Sequence, residues 1–220
     1  MKRTRTFIVL AGLLAFVFVA PAIAQNSLSV TNAAAIDGTY GLEVTMDGSS
    51  NKAFVRDESP ADEHVYRATF KIDMNNLAMT DGDWHYVATF RAEPGGPDSN
   101  PSARNLMRII IRYREGQANP YKIRFVARND NGTWNQPGGH SLPPSGSSTI
   151  TVEWQAASAP GANDGFGRFY RNGVLRATAS GLDNDTWAGI GSATLGVDQV
   201  DAGTSGSMYY DSFESFRTLQ

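Results

Sequence analysis

From residue 40 onward the chain is a succession of short runs in which apolar and polar positions alternate. Tyr40, Leu42, Val44 and Met46 alternate with Gly41, Glu43 and Thr45. Tyr66, Ala68, Phe70 and Ile72 alternate with Arg67, Thr69 and Lys71. Trp84, Tyr86, Ala88 and Phe90 alternate with His85, Val87, Thr89 and Arg91. Successive side chains of a strand point to opposite faces, so a period of two marks a strand with one buried face. The pattern is clearest over 105–114 and 121–128. In the first run Met107, Ile109, Ile111 and Tyr113 oppose Arg108, Ile110, Arg112 and Arg114. In the second, Tyr121, Ile123, Phe125 and Ala127 oppose Lys122, Arg124 and Arg128. The intervening segment 115–120 suits a hairpin loop, which predicts two neighbouring strands with a row of cations on one side.

Further runs follow at 53–55, 150–155, 169–171, 174–178, 193–197 and 207–217. Asn172-Gly173, between two of them, is the strongest two-residue hairpin signal. No segment beyond the amino terminus carries a helical period over ten residues or more. Roughly a dozen strands and no helix predict an all-β sandwich or barrel. Three loops, 93–104, 135–148 and 156–167, are long and rich in Pro, Gly and Ser, as functional or mobile loops are. Neither side of any of them could close a core alone, so one domain is expected.

The amino terminus changes the picture of where that domain works. Lys2, Arg3 and Arg5 precede an apolar stretch from Phe7 to Ala20, and Ala22-Ile23-Ala24 follows. A basic region, a short apolar region and an A-x-A site predict a secretory signal peptide over 1–24, too short to span a bilayer comfortably. The expected domain is then 25–220, secreted or periplasmic in a bacterium, with no membrane span after cleavage. Its 196 residues can bury a sufficient core, and they must, because the chain has no cysteine. Without the signal's three cations the domain keeps 16 basic and 22 acidic residues, a net charge of −6. That balance argues against nucleic acid and anionic membranes as partners. The sequons at Asn131 and Asn184 read as turns.

Two phrases carry a resemblance. Thr149-Ile-Thr-Val-Glu-Trp154 precedes Arg168-Phe-Tyr-Arg-Asn-Gly-Val-Leu-Arg-Ala177, and Met208-Tyr-Tyr-Asp-Ser-Phe-Glu-Ser-Phe216 closes the chain. The first resembles the Trp-ending strand and "YxNG" hairpin of the concanavalin A-like lectin/glucanase superfamily, laminin-G-like domains included. The second resembles the aromatic–Asp–x–Phe closing strand of such jelly rolls. Asp81-Gly-Asp-Trp-His-Tyr-Val-Ala88 is also similar to a laminin-G phrase, although it stands far upstream of its usual place. The resemblance implies a two-sheet antiparallel jelly-roll sandwich, one sheet of which is concave and often binds ligands. It also implies a possible structural Ca²⁺, for which Glu43 and Asp211 match by position and suit a hard cation. The alternative for Asp211 is a carboxylate held by backbone donors.

If the strands at 64–73, 84–91, 105–114 and 121–128 stand side by side, their polar sides merge. Arg67, Lys71, Arg91, Arg108, Arg112, Arg114, Lys122, Arg124 and Arg128 then share one face with His85. The planar fork of Arg matches carboxylate and sulfate bidentately. A non-catalytic groove for an acidic polysaccharide is therefore expected, with Arg91, Arg108, Arg112, Arg114, Arg124 and Arg128 as ligand-binding residues. Trp134 and Trp187, in loop-like sequence, are candidate sugar platforms, whereas Trp84 and Trp154 read as core. The alternative is a solvated outer face whose cations pair with nearby acids.

Catalysis has less support. The superfamily's Glu-x-Asp-x-x-Glu strand is absent, so a glycosidase is not expected. A polysaccharide lyase is the second reading, with His85 as its candidate catalytic residue. The Arg-x-Glu-Leu, Gln-Ile/Val-His and Tyr-Phe-Lys-x-Gly phrases of jelly-roll alginate lyases are missing. A third reading is an adhesion module that binds a protein.

Overall fold

The computed structural model describes residues 25–92, 105–186 and 189–220. The expected signal peptide and the loop 93–104 lie outside them. In chain order the strands are β1 (Ser27–Thr31), β2 (Gly41–Asp47), β3 (Ala53–Asp57), β4 (Val65–Asp73), β5 (Trp84–Arg91), β6 (Asn105–Tyr113) and β7 (Tyr121–Arg128). They continue with β8 (Trp134–Asn135), β9 (Gly139–Ser141), β10 (Ser147–Gln155), β11 (Gly165–Arg171), β12 (Val174–Leu182), β13 (Ser192–Val197) and β14 (Ser205–Phe216). There is no helix among the described residues.

The strands form two antiparallel sheets. Sheet A runs β1-β2-β14-β4-β10-β11-β12, and sheet B runs β3-β13-β5-β6-β7-β8 with β9 set against β7. The expected all-β two-sheet sandwich is thus the observed one. Its core is made by the alternating apolar positions. Tyr66, Phe70, Val152, Trp154 and Phe169 from sheet A meet Phe90, Met107, Ile109, Ile123 and Phe125 from sheet B, and all are essentially inaccessible to water. Rings pack across the two layers, Tyr66 on Phe90 with centroids 6.0 Å apart and Phe125 stacked on Phe169 at 6.3 Å. The second contact depends on Gly167. A Cβ there would stand 2.6 Å from Phe125 Cζ, so any side chain would push the sheets apart. The hairpin between β11 and β12 has Asn172 and Gly173 at φ 51° and 74°, the left-handed pair that a type I′ turn requires.

Two features depart from the reading of the sequence. First, β4 does not stand beside β5. It lies in sheet A between β14 and β10, so Arg67 and Lys71 belong to the opposite outer face. The expectation placed consecutive strands next to one another, as they usually are. Here the connection carries the chain from one sheet to the other and buries Met74, Leu77 and Met79 in the core on the way.

Second, β5 contains a bulge. His85 pairs with Ile111 and Tyr86 with Ile110, but it is Ala88 that pairs with Ile109, which leaves Val87 as an extra residue. A bulge reverses the parity of the residues on one side of it. His85 therefore points into the core and is 0% exposed, while Trp84 and Tyr86 join the outer face. The assignment of His85 to the cationic face and of Trp84 to the core is corrected on this ground.

A cationic outer face as the candidate functional site

Sheet B brings the expected cations together from three adjacent strands. Arg91 comes from β5, Arg108 and Arg112 from β6, and Lys122, Arg124 and Arg128 from β7. Arg112 stands opposite Lys122, Ile110 opposite Arg124, and Trp84 opposite Arg112. Arg114 follows the end of β6 and lies near enough to act on Arg112. Burial first, and then the charges of Arg114 and Arg124, push the pKa of Arg112 down, with Asp81 and Asp201 opposing. Like charges on neighbouring strands repel unless something neutralises them.

Each sheet carries both paired and unpaired cations: among the described residues Arg67, Arg171 and Arg176 of sheet A have no carboxylate within ion-pair distance, while Arg56 and Arg91 of sheet B have Glu58 and Asp198. On or beside sheet A, Lys71 pairs with Asp37 at 2.7 Å, Arg168 with Glu153 at 3.5 Å and Arg217 with Glu63 at 2.8 Å. On sheet B, Arg108, Arg112, Arg114, Lys122 and Arg124 have no carboxylate within ion-pair distance among the described residues. Lys122 donates to Ser141 Oγ at 2.8 Å, and Arg124 reaches Gln136 Oε1 at 3.5 Å. Among the described residues the row Arg108, Arg112, Lys122 and Arg124 is therefore not ion-paired with neighbouring acids, whereas Arg91 at its edge is, through Asp198.

Aromatic rings hold the central cation. The Arg108 guanidinium lies 4.8 Å from the Tyr86 ring centroid and 4.2 Å from that of Trp134, and Arg108 Nη1 donates to the Tyr86 hydroxyl at 2.8 Å. Burial lowers the pKa of Arg108, with Tyr86 opposing, but a guanidinium stays charged at any physiological pH. Burial raises the Tyr86 phenol, with the Arg108 charge working against it. Trp134 sits in β8, and Arg128 approaches the same ring at 5.9 Å. Its indole therefore stands between two cations. Trp84, 5.0 Å from Tyr86, supplies a further aromatic surface. Trp187 lies outside the described residues.

Two adjoining clefts share Tyr86. One, of about 240 Å³, is lined by Trp84, Ile110, Arg112 and Arg124. The other, of about 350 Å³, is lined by Lys52, Arg91, Asn105, Arg108 and Asp198, among others. Asp198 follows β13 and is almost fully buried. It takes Lys52 Nζ at 3.3 Å, Thr89 Oγ1 at 3.3 Å and the Arg91 guanidinium in close contact, while Arg91 Nε also donates to Asn105 Oδ1 at 2.8 Å. Burial alone would raise the Asp198 carboxyl, but Arg91 and Lys52 outweigh it and hold the pKa down. Trp84, Tyr86, Asn105, Lys52 and Asp198 were not among the expected site residues. The signal for the first two was the apolar triplet Tyr86-Val87-Ala88, which breaks strict alternation where the bulge falls.

The positions that the resemblance marked for calcium lie elsewhere. Asp211 Oδ2 accepts the backbone N–H groups of Ile36 at 2.8 Å and Asp37 at 2.7 Å, and Oδ1 accepts that of Ser212 at 2.6 Å. Burial would raise the Asp211 carboxyl, yet these donors hold it below the usual range. Glu43, on β2, faces Tyr209 across the ladder and belongs to no cluster of three potential ligands among the described residues. The donor set of Asp211 fits a backbone clamp that ties the 36–37 turn to β14 better than it fits a cation. Asp211→Ala is therefore expected to cost about 1–3 kcal/mol, with or without a chelator. A melting temperature that falls on chelation in the wild-type protein but not in Asp211→Ala would instead place a cation at Asp211.

No protein-family model matches the chain, and no curated protein is similar to it in sequence. Solved structures are similar in fold. The endo-β-1,4-glucuronan lyase of the fungus Trichoderma reesei superposes with a TM-score of 0.62 over 88% of each chain, at 14% identity. A substituted form of alginate lyase Aly36B in complex with an alginate tetrasaccharide gives 0.51 at 13% identity, over 79% of this chain and 81% of that one. A substituted form of HCR/D gives 0.52 at 11% identity, over 89% of this chain but 43% of the other. At such identities the likeness is one of fold, a jelly-roll sandwich that polysaccharide lyases also use.

Proposed function

We propose that the outer face of sheet B is a groove for an anionic polysaccharide and that the protein is a carbohydrate-binding domain of the cell exterior. The observation that carries this reading is that Arg108, Arg112, Lys122 and Arg124 have no carboxylate partner among the described residues and stand beside Trp84 and Tyr86. Aromatic faces suit the apolar faces of sugar rings, and Arg112 and Arg124 are placed to clamp a ring carboxylate bidentately. The fold similarity to glucuronan and alginate lyases supports a uronate-bearing polymer as the class to test first.

One observation favours a second reading, a lyase on the same face. With Arg108 donating to its hydroxyl, Tyr86 keeps its own proton for an acceptor in the cleft. In β-elimination that proton would go to the leaving glycosidic oxygen as the C4–O bond breaks and C4=C5 forms, the C5 proton passing to a water molecule in the cleft. His85 cannot take that proton, because it faces the core. The two readings separate in one assay. Incubation with alginate or glucuronan should retain the polymer with no rise in ultraviolet absorbance from unsaturated ends. A rise that disappears in Tyr86→Phe, with binding kept, would replace the binding reading by the lyase.

A further inference from the structure

We infer, resting on that reading, that the two clefts select different sugars, so the preferred ligand is a polymer in which uronate and uncharged residues alternate, consecutive uronates being held more weakly. The Arg112–Arg124 cleft has an aromatic wall and two guanidinium groups without carboxylate partners among the described residues, the requirements of a uronate. The neighbouring cleft already contains an anion. Asp198 occupies Arg91 and Lys52 there, and Arg108 at the boundary is turned onto Tyr86 and Trp134. Ser50, Asn105 and Gln199 complete its polar lining.

A ring carboxylate entering this second cleft would share its cations with Asp198 and be repelled by it, at a separation where the low dielectric of a half-closed site strengthens repulsion. A hydroxyl pair meets no such opposition. It can donate to Asp198 and accept from Lys52, Asn105 or Gln199, and neither step leaves a charge unanswered. Tyr86 borders both clefts, so the two sugars would be neighbours on one chain. Asp198 is then a specificity residue that acts by excluding a second consecutive uronate.

Isothermal titration of two tetrasaccharides tests this. One is made of consecutive uronates, and the other alternates glucuronate with N-acetylhexosamine. Because linkage also affects each affinity, the readout is the ratio of the two affinities and how it moves in variants. Asp198→Asn should shift the ratio toward the consecutive uronates by about fivefold or more. Lys52 is 63% exposed, and Lys52→Gln leaves Asp198 less neutralised without endangering the fold, so it should shift the ratio the other way. A ratio that neither variant moves overturns the inference and leaves the groove standing. Failure of both tetrasaccharides to bind the wild-type protein overturns the groove and the inference together.

Discussion

Reversing two arginines at once, Arg112→Glu with Arg124→Glu, is expected to weaken binding of an anionic polysaccharide by at least about 100-fold while the sandwich still folds. The two side chains line one cleft with Trp84 and Tyr86, and neither has a carboxylate partner among the described residues. Converting both replaces attraction by repulsion at the centre of the groove, whereas truncation would only remove the attraction. The fold should tolerate the change, because the core faces of β6 and β7 are untouched. The new carboxylates would also lie among Arg114, Lys122 and their neighbours, where they relieve crowding of like charge. Stability should fall by no more than about 2 kcal/mol, since both side chains are only half-buried and hold no ion pair among the described residues. Polysaccharide binding that survives in a folded double variant would remove this face as the site.

The second large effect is on acid stability. His85 is completely buried, and neither ring nitrogen has a hydrogen-bond partner of normal geometry among the described residues. Burial lowers its pKa from 6.5 to about 4, with the Tyr86 backbone opposing only part of the shift. The folded state thus keeps the imidazole neutral in a range where the unfolded chain takes up a proton. Stability from this group is complete above pH 6.5 and is lost as the pH falls toward 4, by about 3 kcal/mol in all. Asp198 and Asp211, whose pKa values are lowered, lose their contributions as the pH falls through the ordinary carboxylate range and below it, at the acid end of the window in which His85 acts. His140 also has a lowered pKa, first from burial and then from Arg176 and Arg171, so the comparison must be with a variant. In urea titrations, His85→Phe should flatten the stability profile between pH 4 and 6.5 without lowering the plateau above it. An unchanged slope would place the acid sensitivity elsewhere.

The period of two made most of this molecule legible. The strands 105–114 and 121–128, with their apolar and cationic sides, stand nearly as the alternation predicts, and Asn172-Gly173 makes the turn its composition implies. Parity counting fails where the backbone inserts a residue. The apolar triplet Tyr86-Val87-Ala88 marks the break, but it does not say on which side of it the parity changes, so counting leaves His85 outward and Trp84 and Tyr86 inward. Neighbourhood fails where the chain changes sheets: Arg67 and Lys71 have the same local pattern as Arg108 and Arg112 but are on the other face. Asp198 was invisible for a different reason. Its meaning lies in contacts with Lys52, Thr89 and Arg91, which are more than 100 residues away in sequence. Long-range ion pairs leave no local signature.

The central claim is that sheet B binds polyanionic sugar through unanswered cations. The most direct measurement is native electrophoresis of the 25–220 protein through gels cast with alginate, glucuronan, a sulfated glycan or a neutral glucan. The account predicts retardation by the acidic polymers, relieved by salt as screening shortens the reach of the charges, and no retardation by the neutral glucan. Equal mobility in every gel, or retardation by the neutral glucan alone, would contradict it.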